Sequence, residues 1–282
     1  MTMTQHVMAG KVALVTGAGR GLGWGIARAL GRSGASVCLT DIDVDELARA
    51  EADVRRDGTT YMLLQLDVAD RKAFQAVVDE VVRTWGRLDA LVHCAIYMPL
   101  IRFDALSDDD WQRQIDVSLG GLYNGTRAVW AQMKLQGGGH IIGIASGSSV
   151  RGYKNEVAYC ASKHAQEGFA KALALEAQAF NIAINTVGPG APIKTTRLTW
   201  AEFGALSDSQ KSHWADPVEL GRAFVWLAAQ PPSRFTGLRF DAAPIVKTLD
   251  REGFDFDFAP EKVTLYPDDV TARIKWMAGY QD

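Results

Sequence analysis

Cysteine is scarce in this chain, with Cys38, Cys94 and Cys160 the only three in 282 residues. An odd number with no metal or redox spacing excludes a disulfide framework and any metal site built on cysteine. It points to reduced, buried thiols in a cytoplasmic protein. Charge of one sign is not in excess either. A net charge of −3 gives no reason to expect nucleic acid or an anionic membrane as partner. Long apolar runs are missing: the longest uncharged stretches, such as residues 177–193, contain Gly, Pro and Asn and cannot span a bilayer. The opening "MTMTQHVMAGK" lacks the apolar core of a signal peptide. There is no internal repeat, low-complexity segment or linker rich enough to divide the chain.

What is present is a large apolar fraction, 48% against 22% charged, enough for a sizeable core. Short apolar, β-branched runs at 11–16, 36–40, 61–66, 88–93, 140–145, 182–187 and 237–242 alternate with segments of helical periodicity, among them 108–135 and 157–180. Near-continuous apolarity marks strands buried on both faces, as in a parallel sheet. The expectation is a single α/β domain over residues 1–282: a Rossmann-like, doubly wound parallel sheet of about seven strands flanked by helices. Its core runs from about 10 to 245. Residues 190–214 read as a substrate lid at the carboxyl end of a strand. Residues 247–282 form a C-terminal extension whose "GFDFDFAP" sets acid against Phe with period two, an apolar face that needs covering.

Between the first strand and the first helix lies "TGAGRGLG" (16–23). Gly17, Gly21 and Gly23 follow G-x-x-x-G-x-G, whereas the G-x-G-x-x-G fingerprint would need glycine at Leu22. The physics is shared: a tight turn, close backbone approach and a helix N-terminus that attracts pyrophosphate. Asp41 ends the second strand, where an acid pairs with an adenosine ribose; Asp41 or Asp43 alternatively caps the next helix. Arg20 favours a 2′-phosphate and Asp41 opposes it. Because Asp41 occupies the hydroxyl's own site, NAD is the expected cofactor.

In "YCASK" (159–163), Tyr159 and Lys163 are four residues apart and share one helix face. With the glycine loop and Asp41, this pair makes the chain resemble the short-chain dehydrogenase/reductase family over roughly residues 10–245. The resemblance implies that Tyr159 exchanges a proton with the substrate oxygen. Lys163 then lowers the phenol's pKa together with oxidised nicotinamide and binds the nicotinamide ribose. Ser146, thirteen positions before the tyrosine, holds the substrate oxygen. The family's acid after the third strand matches Asp67–Val68, and its Pro-Gly turn matches Pro189–Gly190. Its later threonine matches Thr195, with one residue inserted before Ile193. The implied cofactor contacts are Gly17, Arg20, Gly21, Leu22, Gly23, Asp41, Asp67, Val68, Ala95, Tyr159, Lys163, Pro189, Gly190, Ile193 and Thr195. No metal is expected, because His93 and Cys94 have no third ligand nearby.

Two departures stand out. "HCAI" (93–96) replaces the family's Asn-Asn-Ala-Gly, so Ile96 reshapes the cofactor wall and His93 reads as a strand-end histidine bonded to backbone. "DVSL" (116–119) places Ser118 where the family has a catalytic asparagine, suggesting a retained but altered proton relay. The leading expectation is an NAD-dependent enzyme acting on a small-molecule secondary alcohol or ketone, with Ser146, Tyr159, Lys163 and Ser118 as catalytic residues. A largely apolar cleft suits cyclic or sugar-like compounds, and Arg151, Lys154 and Arg197 are candidates to attract an acidic group. A 3-oxoacyl-thioester reductase and a non-catalytic dinucleotide-binding regulator are the alternatives. The family also implies a homodimer or homotetramer, paired through the tyrosine-bearing helix and the last strand and helix.

Overall fold

A computed structural model describes residues 6–193 and 200–256. Seven strands form one sheet: β1 (Val12–Thr16), β2 (Ser36–Asp41), β3 (Tyr61–Gln65), β4 (Ala90–His93), β5 (Gly139–Ile144), β6 (Ile182–Gly188) and β7 (Arg239–Asp241). All pairings are parallel, in the order β3-β2-β1-β4-β5-β6-β7. The order reverses between β1 and β4, the topological switch point at which α/β sheets bind ligands.

Alternation along the strands sorts side chains into two cores. Ala13, Val15, Val37 and Leu39 face one side, packed by α1 (Gly21–Arg32), α2 (Val44–Arg56), α9 (Pro217–Ala228) and α10 (Ala242–Glu252). Val12, Leu14, Cys38 and Leu91 face the other, packed by α3 (Arg71–Trp85), α5 (Gly121–Leu135) and α6 (Val157–Ala177). Each buried aliphatic side chain contributes on the order of 1.5–3 kcal/mol, and this burial on both faces is the physical meaning of the apolar runs.

Helix starts follow local chemistry. Asp43 accepts from the backbone N–H of Asp45 and Glu46 and caps α2, and Asp70 does the same for α3. Asp43 rather than Asp41 is therefore the cap. Ser107 caps α4 (Asp108–Ile115), and Asp216 with Pro217 at the first helical position starts α9.

Three expectations need correction. The stretch 108–135 is not one regular helix: α4 passes into a π-helical turn, Asp116–Gly120, before α5 begins. One extra residue is thus inserted at "DVSLG", and such π-bulges concentrate at functional sites. The apolar run at 88–93 becomes a strand only from Ala90. Of the three free thiols, Cys38 is buried while Cys94 and Cys160 are half-buried.

The residues after β6 form two short helices, α7 (Trp200–Ala205) and α8 (Asp208–Lys211), and the excursion closes where Ala215 N–H donates to Pro192 O at 2.8 Å. Of the C-terminal extension, Phe256 is buried and stacks on Trp226 with ring centroids 4.8 Å apart. Among the described residues, no helix is long and apolar enough to cross a membrane.

Candidate active site

The glycine loop sits at the switch point. Gly17 and Gly21 have φ of +63° and +59°, conformations costly for any residue with a Cβ. A Cβ on Gly17 would lie 2.7 Å from Ala95 Cα, and one on Gly23 would lie 2.2 Å from Gly17 O. This packing lets the backbone after β1 lie flat against the end of β4. No side chain caps the N-terminus of α1, so Arg20, Gly21 and Leu22 open the helix with donors suited to an anion. This cradle fits a dinucleotide pyrophosphate.

Asp41 faces the loop. Its Oδ2 accepts from Gly19 N–H at 3.0 Å and its Oδ1 from Asp43 N–H at 3.1 Å. Arg20 does not approach Asp41's oxygens; its Nη1 lies 3.5 Å from Oε1 of Glu46, a carboxylate 3% exposed on α2 that Arg49 also contacts. Sequence reasoning missed Glu46. Asp67 accepts from Ala69 N–H and pairs with Arg113 at 2.9 Å. The Val68 carbonyl receives Asn124 Nδ2 at 3.0 Å. Asn124 was likewise not singled out, since a polar residue on an amphipathic helix gives no signal of facing inward. Pro189 O accepts from Ala243 N–H, and Gly190 has φ +62° with no room for a Cβ beside Asp241. Ile193 packs half-buried against the core. Thr195 and Arg197 lie outside the described residues, as do the rest of the lid between 194 and 199 and the tail from 257.

Ser146 follows β5 in extended backbone and caps a single 3-10 turn, Gly147–Ser149. Its hydroxyl oxygen accepts from Ser148 N–H at 3.1 Å, its own N–H donates to Ser149 Oγ, and its carbonyl accepts from Arg239 Nη2 at 3.2 Å. So held, the Ser146 side chain faces the Tyr159 phenol and lowers its pKa. Tyr159 is 7% exposed and Lys163 3%, both on α6. Lys163 Nζ donates to Ile144 O at 2.7 Å and to Gln166 Oε1 at 3.0 Å, and lies 5.6 Å from the centre of the tyrosine ring.

Burial pushes the Tyr159 phenol up to about 12, with the Ser146 hydrogen bond pulling the other way and Glu156, Cys94 and Cys160 adding to the rise. The lowering expected of Lys163 is therefore not produced by the protein's own groups. Burial acts on the lysine as well and brings it down to about 8. Desolvation wins over the attraction of one ammonium whose N–H bonds point at neutral oxygens.

The two sequence departures meet in space. His93, 1% exposed, places Nε2 3.1 Å from Val117 O and 3.0 Å from Ser118 O, and Nδ1 3.1 Å from Thr16 Oγ1. Two carbonyls require an N–H at Nε2, so Nδ1 accepts from the Thr16 hydroxyl and the ring is neutral. Burial lowers its pKa to about 4. Thr16 Oγ1 also receives the N–H groups of Cys94 and Ala95, tying "HCAI" to β1. The Ser118 hydroxyl is fully buried without a hydrogen-bond partner, while its carbonyl accepts from Gln166 Nε2 at 2.7 Å. Among the described residues no cluster of His, Cys, Asp and Glu is arranged to hold a metal.

Beyond Ser146 and Tyr159, Tyr97, Leu100 and Tyr153 expose apolar surface, and Ile101 N–H bonds Asn155 O at 3.0 Å to join the two loops that carry them. Arg151 stacks on Tyr153. Lys154 is exposed on the same loop.

Comparison with known proteins identifies a family. The family profile described as short chain dehydrogenase matches residues 11–203. A 3-alpha-(or 20-beta)-hydroxysteroid dehydrogenase of Mycobacterium bovis is 36% identical over 234 residues, covering 82% of this chain and 87% of the relative. A D-threitol dehydrogenase of Mycolicibacterium smegmatis is 33% identical, with 81% and 89% covered. Among solved structures, a short chain dehydrogenase from Shigella flexneri complexed with NADP superposes with a TM-score of 0.74 at 26% identity, over 85% of this chain and all of that one.

Proposed function

The chain belongs to the short chain dehydrogenase family, a family of oxidoreductases that bind a nicotinamide dinucleotide, and from that premise we propose that it interconverts a secondary alcohol and a ketone using NAD. The observation that carries this reading is the grouping of half-buried Ser146 with buried Tyr159 and Lys163, the serine side chain facing the phenol and the ammonium 5.6 Å from its ring centre. When bound, NAD supplies the hydride acceptor and, oxidised, a positive charge beside the phenol. Tyr159 takes the alcohol proton as general base and returns it in the reverse direction. Ser146 fixes the substrate oxygen, and Lys163 holds the nicotinamide ribose and biases Tyr159 toward phenolate. Ser118 serves through its carbonyl, which anchors the residues behind the lysine.

Support for NAD over NADP comes from charge. A carboxylate about 4 Å from a 2′-phosphate is repelled by roughly 4 kcal/mol at an effective dielectric near 20. Asp41 is fixed by two backbone donors beside the loop, and the basic residue able to offset it is drawn off by Glu46. Asp67 and Val68 serve the adenine. Pro189, Gly190, Ile193 and Thr195 serve the nicotinamide end. The apolar rim of Tyr97, Leu100 and Tyr153 favours a substrate with an apolar, cyclic skeleton, in keeping with the hydroxysteroid substrate named for one relative. Residues 190–214 act as the substrate lid. We place the protein in the cytoplasm as a homodimer or homotetramer paired through α6 and through β7 with α10; Leu175 on α6 exposes 76% of its surface.

The test is reduced-nicotinamide absorbance with NAD or NADP and a panel of cyclic and acyclic secondary alcohols, on wild type and Tyr159→Phe. Turnover with NAD on the wild type is expected. Its loss by about 10²–10⁴ in the variant, with NAD binding retained by calorimetry, is expected alongside. Binding of NAD without turnover of any alcohol or ketone would favour a non-catalytic regulator.

A further inference from the structure

Among the buried polar side chains that the functional reading leaves unused, Gln166 is the one that bonds Lys163. Gln166, 1% exposed, lies one turn beyond Lys163 on α6 and joins the lysine to the π-helical turn. Its Oε1 accepts from Lys163 Nζ at 3.0 Å while its Nε2 donates to Ser118 O at 2.7 Å. The orientation of this carboxamide is unambiguous: turned over, it would set an NH₂ against an ammonium and an oxygen against a carbonyl. Ser118 O also receives His93 Nε2–H, which is braced from behind by Thr16. Lys163, Gln166, the Ser118 carbonyl, His93 and Thr16 thus form one continuous hydrogen-bonded path from α6 through the π-helical turn to the ends of β4 and β1. The donors to the Ser118 carbonyl are all protein groups, since a backbone N–H at the start of α5 joins Gln166 and His93 there, and neither a carboxamide nor a peptide N–H is a ready carrier of protons.

We propose that Gln166 is a positioning residue for the reaction above: a fixed strut that keeps Lys163 in its ammonium form and aimed at Tyr159 and the cofactor ribose. The proposal rests on the oxidoreductase reading for its kinetic consequence, but not for its structural one. Lys163 has few other sources of support. Ile144 O is neutral, as is the Cys94 thiol, which burial pushes up to about 12, so Glu167 on its own helix is the charged group that pulls the lysine's pKa upward. Burial pulls it downward, and among the described residues no ionised acceptor bonds it. His93 and Tyr159, the remaining titratable neighbours, are neutral in the ordinary range. Loss of the Gln166 oxygen therefore shifts the lysine toward free amine, and the weaker charge makes phenolate at Tyr159 harder to form.

The experiment compares wild type, Gln166→Leu and Gln166→Glu. The ionisation of Lys163 is read without cofactor, by pH-dependent competitive acetylation of the full chain and mass spectrometry of the peptide carrying it. The expected midpoint falls by about one unit in Gln166→Leu and rises by at least as much in Gln166→Glu, where a carboxylate replaces the amide. In alcohol oxidation with NAD, the acid limb of the kcat profile moves up by about one unit in Gln166→Leu. If Gln166→Leu fails to fold, Gln166→Met, which keeps the chain length and removes the accepting oxygen, takes its place with the same expected fall. Unchanged Lys163 midpoints in the folded variants would overturn the strut. Shifted midpoints in a protein that oxidises no alcohol would leave the strut standing and remove the oxidoreductase reading instead.

Discussion

Arg239, on the edge strand β7, reaches across β6 and donates to the main-chain carbonyl of Ser146, 3.2 Å away at the end of β5. The same guanidinium lies 3.4 Å from both Glu167 and Asp241, and Glu167 in turn accepts from the Thr186 hydroxyl at 2.9 Å. The serine's position is thus set partly by a strand two places away in the sheet.

Removing that guanidinium leaves a buried carboxylate with one neutral partner and frees the Ser146 backbone. Arg239→Met is expected to cost about 2 kcal/mol of stability and to lower kcat at least tenfold while NAD affinity changes little. Urea denaturation and steady-state kinetics check this together. Stability lost with kcat intact would mean that Arg239 serves only Glu167.

Cofactor choice offers a second prediction. Asp41 supplies the repulsion and Glu46 restrains the cation that would otherwise answer a 2′-phosphate. Asp41→Ser is expected to raise the NADP-to-NAD ratio of kcat/KM at least tenfold, equivalent to 1.4 kcal/mol. Adding Glu46→Gln should raise it further by releasing Arg20. A ratio indifferent to Glu46 would place the whole of the discrimination at Asp41.

Two buried histidines govern acid stability. Burial holds His93 and His140 at about 4, below the ordinary 6.5, and both are almost fully enclosed. Between pH 6.5 and 4 the unfolded chain therefore binds more protons than the folded one, so stability falls as pH falls. The slope is about 1.4 kcal/mol per pH unit for each imidazole. Chemical denaturation at pH 7.5 and 5.0 is expected to show this loss, and His140→Gln to reduce it. His140 bonds only Gln230 O through Nε2, so it can be replaced without touching the site. An equal loss in wild type and variant would assign the acid sensitivity to other groups.

Much of the fold was legible in the chain because its rules are local. Apolar runs locate all seven strands, since a strand buried on both faces has no polar side to show. The αL glycines after β1 and the spacing of Tyr159 and Lys163 follow from backbone sterics and helix pitch, which need only neighbouring residues. The π-helical turn at Asp116–Gly120 was not legible: one inserted residue leaves the apolar pattern on either side almost intact. Gln166 carried a faint signal, three residues past the lysine and so on its face. Arg239 carried a plainer one, a charge within an apolar strand, but neither pattern says what it touches.

By itself, then, the amino-acid order determined the sheet, the glycine cradle at its switch point and the helix face that presents a phenol and an ammonium together. Tertiary structure alone decided that "HCAI" and "DVSL", 23 positions apart between His93 and Asp116, form one network, because His93 and Gln166 converge on a single carbonyl. It alone decided that Arg20 leans toward Glu46, and that Tyr159 is buried deeply enough to hold its proton more tightly than a free phenol. Periodicity reports which side of an element is dry. Hydrogen-bond partners and desolvation depend on what arrives from elsewhere in the chain, and that is settled only when the layers close.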